Sequence, residues 1–210
     1  MVVTVSTGAG LPGPRRPLAS GDRIRAWYEN ELGWPTAPGP GPRLVVGVRF
    51  DVLDVPAEAG HAALAHFSRA GEDAAFPVAA QGGRLRLLVA PGSAEEVPGL
   101  LDWLEWGGLT LDLVAIGAGG LMDAPPPPGR DAPPGAAVWL RPPGSRDDVE
   151  SSLPTLSAMG GRRCAADLAR LVNTVATQCH RVRLRRAGAE PGPSGSPRVP
   201  GKPLKAFSGP

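Results

Sequence analysis

Two aspartates, Asp51 and Asp54, close an apolar run that reads Arg43-Leu44-Val45-Val46-Gly47-Val48-Arg49-Phe50-Asp51-Val52-Leu53-Asp54-Val55-Pro56. Carboxylates delivered to a sheet edge are the hard oxygen ligands that a divalent cation takes. The pair does not serve one ion, because residues i and i+3 on a strand point to opposite faces. The branched run predicts one or two buried strands, and Pro56, which has no N–H to donate, ends the ladder. The structural alternative for Asp54 is a turn aspartate that caps the segment after Pro56.

Other groups are less suited to chemistry. His61 and His66 are five residues apart, so on a helix they diverge and share no metal, one of them bordering the core. Gly117-Ala118-Gly119-Gly120 follows a strand, but prolines come next where a dinucleotide fingerprint needs a helix. Pro125 to Pro128 read as a rigid loop, with a polyproline II ligand for a protein partner as the alternative. Arg181, Arg183, Arg185 and Arg186 close a long helical pattern, where they suit the negative end of its dipole or a nucleic-acid phosphate. No Cys/His zinc spacing and no convincing nucleophile–base pair is present.

The elements that must position these groups emerge from pattern and composition. A chain of 210 residues can bury a real core, and one domain is expected. With 29 Gly and 26 Pro concentrated toward the ends, a compact body with flexible arms is predicted at 20–186, flanked by 1–19 and a basic tail at 187–210. The net charge is +2, yet the seven basic residues from Arg181 onward face only Glu190, so the body before them is net acidic. Such a body lacks the broad basic face of a strong nucleic-acid binder, and polyanion affinity belongs to the tail. Cys164 and Cys179 lie in one expected helix about 22 Å apart at 1.5 Å per residue, too far to pair. A reduced, cytoplasmic setting is therefore expected. No apolar stretch of about 18 residues suggests a membrane span, and Met1-Val2-Val3-Thr4-Val5-Ser6 lacks the basic start of a secretory signal.

In chain order, Asp22 is a candidate N-cap for a helix ended by Gly33, followed by an extended Pro/Gly connector to the apolar run. A helix is predicted over 61–69, a hairpin over 76–80 and 84–89 about Gly82-Gly83, and a helix after Ser93 with Glu96 as a capping box. Pro98 is the alternative first residue of that helix. Strands over 109–116 and 136–140 enclose a Gly/Pro loop, and an amphipathic helix over 163–184 closes the body, its stripe running from Leu168 to Val182. The expected class is α+β, a mixed or mostly antiparallel sheet flanked by helices.

Four stretches carry a family resemblance. They are Gly33-Trp34-Pro35-Thr36-Ala37-Pro38, then Val52-Leu53-Asp54-Val55-Pro56-Ala57-Glu58-Ala59-Gly60, then Gly82-Gly83-Arg84-Leu85-Arg86-Leu87-Leu88, and Leu111-Asp112-Leu113 through Gly119-Gly120 to Ala124-Pro125-Pro126. Val138-Trp139 matches a closing tryptophan strand. Over residues 24–143 the chain resembles the bifunctional DNA primase/polymerase (prim-pol) N-terminal domain of the archaeo-eukaryotic primase superfamily. The resemblance implies a primase/polymerase-like core, three carboxylates for two metal ions, and a histidine for the incoming nucleotide's phosphates.

The departures matter more. The first motif's second aspartate falls on Pro56, leaving Asp54, and the histidine falls on Leu85. Asp112 keeps the third position. Arg84 and Arg86 flank Leu85 on one face, where they can meet a phosphate. The expectation is a degenerate prim-pol-like module that binds DNA or nucleotide or acts in regulation, without polymerase activity. The alternatives are an active primase/polymerase using magnesium or manganese at Asp54 and Asp112, and a protein-interaction scaffold using the proline loop or the last helix.

Overall fold

Asp51–Pro56 is a central strand with Val52, Leu53 and Val55 fully buried, so both of its faces are covered. The computed structural model describes residues 20–71, 75–156 and 167–189. The arm at 1–19, Cys164, the first residues expected of the last helix and the tail from 190 onward lie outside them.

Eight strands form two antiparallel sheets among the described residues, and the fold is α+β. Strands β1 (Thr36–Ala37), β2 (Arg43–Val45) and β7 (Leu121–Asp123) make a small sheet in the order β1-β2-β7. Strands β3 (Asp51–Pro56), β4 (Val78–Gln81), β5 (Arg84–Val89), β6 (Val114–Ile116) and β8 (Val138–Arg141) make the larger one, ordered β6-β3-β5-β4-β8. The apolar run thus splits into two strands of different sheets. The crossing is made at Gly47, whose φ of 90° no branched residue adopts cheaply.

Helices α2 (Ala57–Arg69), α3 (Ser93–Trp103) and α5 (Leu168–Ala189) pack on one face of the larger sheet. Leu168, Leu171, Val172, Val175, Cys179 and Val182 of α5 meet Leu53, Leu85, Leu87 and Phe67 there. Each such side chain removed from water contributes about 1.5–3 kcal/mol. A second core lies on the opposite face, where Tyr28, Trp34, Leu44, Phe50, Leu88 and Met122 pack beneath the small sheet. Tyr28 is its polar anchor: its hydroxyl donates to Pro125 O at 2.7 Å and accepts from Trp139 Nε1 at 3.0 Å. Burial raises its pKa far above the usual value, outweighing the Trp139 bond, so it stays a neutral phenol.

Several local expectations need correction. The first helix, α1 (Ser20–Ala26), already contains Asp22, which is therefore no cap, and it continues as a π-helix over Trp27–Leu32. That wider turn ends at Gly33 in the left-handed conformation, its N–H bonded to Tyr28 O. Helix α2 starts directly after Pro56 rather than at residue 61, and His61 and His66 are both exposed. Only Val114–Ile116 of the expected 109–116 strand is extended, because Thr110 O and Asp112 O bond to α5 instead of a ladder. The Gly/Pro loop hides β7, and α4 (Arg146–Ser152) carries no strong periodic signal. Helix α5 runs on to Ala189, so 187–189 is helix and not tail.

The expected Ser93/Glu96 box does not form: α3 has no side-chain cap of its own, and Pro98 lies inside it. Asp51 caps it instead from β3, its Oδ2 accepting from Ala94 N at 2.8 Å. The other oxygen, Oδ1, is buried and has no hydrogen-bond partner among the described residues. Burial raises the Asp51 pKa, and the bonds from Ala94 and Gly92 only partly offset it. A folded pKa above the unfolded value means that ionisation favours unfolding, so this cost is absent in acid and grows as pH rises from about 4. Asp51→Asn keeps the acceptor for Ala94 and cannot ionise. Urea midpoints of the two proteins should diverge in the variant's favour between about pH 4 and 7. A wild type that gains on the variant as pH rises contradicts this.

Candidate functional site

The Gly82-Gly83 turn, with φ of 54° and 79°, fixes a two-residue hairpin and thereby the β4–β5 register. Gln81 then opposes Arg84, and Ala79 opposes Arg86. Across the other edge of β5, Asp54 opposes Arg86 and Pro56 opposes Arg84. Strand alternation puts Asp54, Arg84, Arg86 and Gln81 on one face, beyond the second core, and Leu85 on the other.

The side chains converge as that register requires. Arg84 Nε meets Asp54 Oδ1 at 2.5 Å, its Nη2 donates to Asp54 O at 3.0 Å, and its Nη1 meets Asp112 Oδ1 at 2.5 Å. Arg86 Nε approaches Asp54 Oδ2 at 3.4 Å while its Nη1 donates to Gln81 Oε1 at 2.8 Å. Gln81 Nε2 in turn donates to Asp123 Oδ2 at 2.7 Å. The result is a polar strip that runs from Asp112, through the sheet face, to Asp123 on β7 of the small sheet. Burial disfavours the Arg84 cation, but its bonds to Asp112 and Asp54 outweigh this and raise its pKa. The Asp112 side chain is 49% exposed, so its pair is screened and worth at most about 1 kcal/mol. Asp54, at 13%, is held far more firmly.

Asp54 and Asp112 therefore lie on either side of one guanidinium, that of Arg84. Asp54 pairs with arginines and does not cap α2, which has Pro56 at its N-cap and no side-chain capping bond. Asp51 faces the other way, buried under α3, and cannot supply a third carboxylate. Among the described residues no group of three or more His, Cys, Asp or Glu stands ready to hold a metal ion. Two acids already neutralised by Arg84 and Arg86 do not fit a two-metal centre, which needs free carboxylates. Leu85, the residue on which the resemblance would put a histidine, is fully buried beneath Gly60 on the core face.

The four arginines at 181–186 of α5 divide into two sorts. Arg183 Nη1 donates to Thr110 O at 2.6 Å, and Arg185 pairs with Glu58 at 2.6 Å on the surface. Arg181 and Arg186 have no protein partner among the described residues. In the proline loop, Pro125 and Pro127 are buried and Pro125 O is bound by Tyr28, which leaves little of it to present as a ligand. Gln81 and Asp123 escaped sequence reasoning. Gln81 was accessible through its alternation with Arg84 across the glycine turn, whereas nothing local marks Asp123, which arrives from another sheet. No helix of the described residues is long and apolar enough to cross a membrane. Set beside known proteins, the chain matches no family model, no curated protein and no solved structure.

Proposed function

We propose that the chain is a degenerate prim-pol-like module that binds nucleic acid or nucleotide and does not synthesise DNA. The observation that carries this reading is Arg84, bonded to Asp54 and Asp112 at 2.5 Å each, where catalysis by two metal ions requires open carboxylates. The gathering of Asp54, Asp112, Arg84 and Arg86 on one face supports the prim-pol-like part of the reading, since these are the positions its motifs match. Arg181 and Arg186 support anion binding, because among the described residues their donors have no protein acceptor to give up.

Primer extension with manganese, dNTPs and a primed template tests the absence of synthesis. The expected result is no template-dependent product from the wild type. Product that Asp54→Ala abolishes overturns the reading. In parallel, a labelled single-stranded oligonucleotide should bind with an affinity that falls as salt rises, because phosphate contacts release counterions.

A further inference from the structure

A cleft of about 480 Å³ opens between the last turns of α5 and the 110–112 segment, beside the polar strip but on its far side from Arg86. Its charged lining is Arg183, Arg186 and Asp112, and its remaining walls include Pro56, Leu111 and Val182. The Asp112 charge is already matched by Arg84 at 2.5 Å, so it does not cancel the two α5 arginines. Among the described residues Arg183 spends one N–H on Thr110 O and keeps the rest of its fork, while Arg186 keeps all of it. Cys179 at the base is a neutral thiol, since burial and the neighbouring Asp112 push its pKa up to about 12. The negative end of α5 lies close by and opposes an anion. Its effect is roughly half a unit charge against two full guanidinium charges, so the arginines prevail.

From this combination we infer that the cleft is a binding site for a nucleotide-sized phosphate ester, with Arg183 and Arg186 gripping the phosphate and the apolar wall receiving the ring system. The inference rests on the anion-binding half of the reading above and gives it a place outside the Asp54–Arg84 strip. Two guanidinium forks one helical turn apart, at i and i+3, suit one phosphate group or two linked ones. The volume falls in the range of small-molecule pockets, roughly 300–1,000 Å³.

Titration of the full chain with ADP, followed by calorimetry, tests the site, with adenosine and inorganic phosphate as separate arms. ADP is expected to bind more tightly than phosphate, and adenosine to show no saturable heat. Arg186→Gln, an exposed substitution that breaks no hydrogen bond or ion pair among the described residues, should weaken ADP by about tenfold or more, as loss of a charge-assisted bond does. Arg69→Gln, an exposed position at the end of α2 and outside the lining, should leave ADP binding unchanged and serves as the control. Equal ADP affinity for wild type and Arg186→Gln overturns the site, as does adenosine binding as well as ADP. No ADP heat alongside retained oligonucleotide binding sinks the cleft and leaves the module reading standing. ADP binding lost in Arg186→Gln together with primer extension by the wild type does the reverse.

Discussion

Leu85→His should lower the unfolding free energy by about 3–5 kcal/mol and produce no primer extension. The substitution restores the residue type that the prim-pol resemblance expects at this position, yet the side chain faces the wrong way for it. Leu85 is fully buried in the core formed with α2 and α5, and a Cβ on Gly60 would sit 2.7 Å from its Cδ1. Losing the leucine gives up about 1.5–3 kcal/mol of burial. An imidazole nitrogen left there without a partner costs about 1–3 kcal/mol more. A buried neutral histidine takes up a proton only on unfolding, so the variant should weaken further as pH falls below about 6.5. Urea denaturation at several pH values measures both effects. A variant as stable as wild type, or one that extends primers, would place residue 85 on the strip face and break the register argument.

The second large effect is expected at Gly47, where Ala should cost about 2–4 kcal/mol. The φ of 90° is strained for any residue with a Cβ, and the added atom would run into the backbone N and Cα of Ala118. Neighbouring bonds leave the turn no room to yield: Gly47 N donates to Phe50 O at 2.8 Å, and Val46 N donates to Gly120 O at 2.9 Å. Because β2 and β3 belong to different sheets, a shifted turn disturbs the seating of the small sheet over the second core. An unfolding free energy within about 0.5 kcal/mol of wild type, from urea denaturation, would show that the 117–120 segment can move aside.

Where sequence reasoning worked, periodicity and turn chemistry were decisive. The Gly82-Gly83 hairpin announced itself, and its alternation correctly set Arg84 and Arg86 on one face. All seven apolar residues of the α5 stripe from Leu168 to Val182 are buried, and the structure adds the polar Gln178. The misses have a common physical cause, which is that partners came from distant parts of the chain. Asp51 displaced Ser93 as the cap of α3 from 43 positions away. Residues 109–113 look extended by composition, but α5 captures their carbonyls. Strand β7 has three residues and exists only because β2 offers it an edge. In the same way, Asp54 read as a metal ligand or a turn cap because the sequence cannot reveal that two cross-strand arginines reach it first.

The strip from Asp112 to Asp123 also constrains how this surface can change. Each interior member answers a neighbour on both sides, so removing one strands two others, and the loss is not repaired by a single compensating substitution. Converting the strip to an acid-only cation centre would demand at least two arginine replacements, and every intermediate would hold Asp54 half-buried with its counter-charge reduced. The arrangement behaves as a ratchet: with arginine seated between the carboxylates, single substitutions lead more easily to other anion-facing surfaces than to a cation centre.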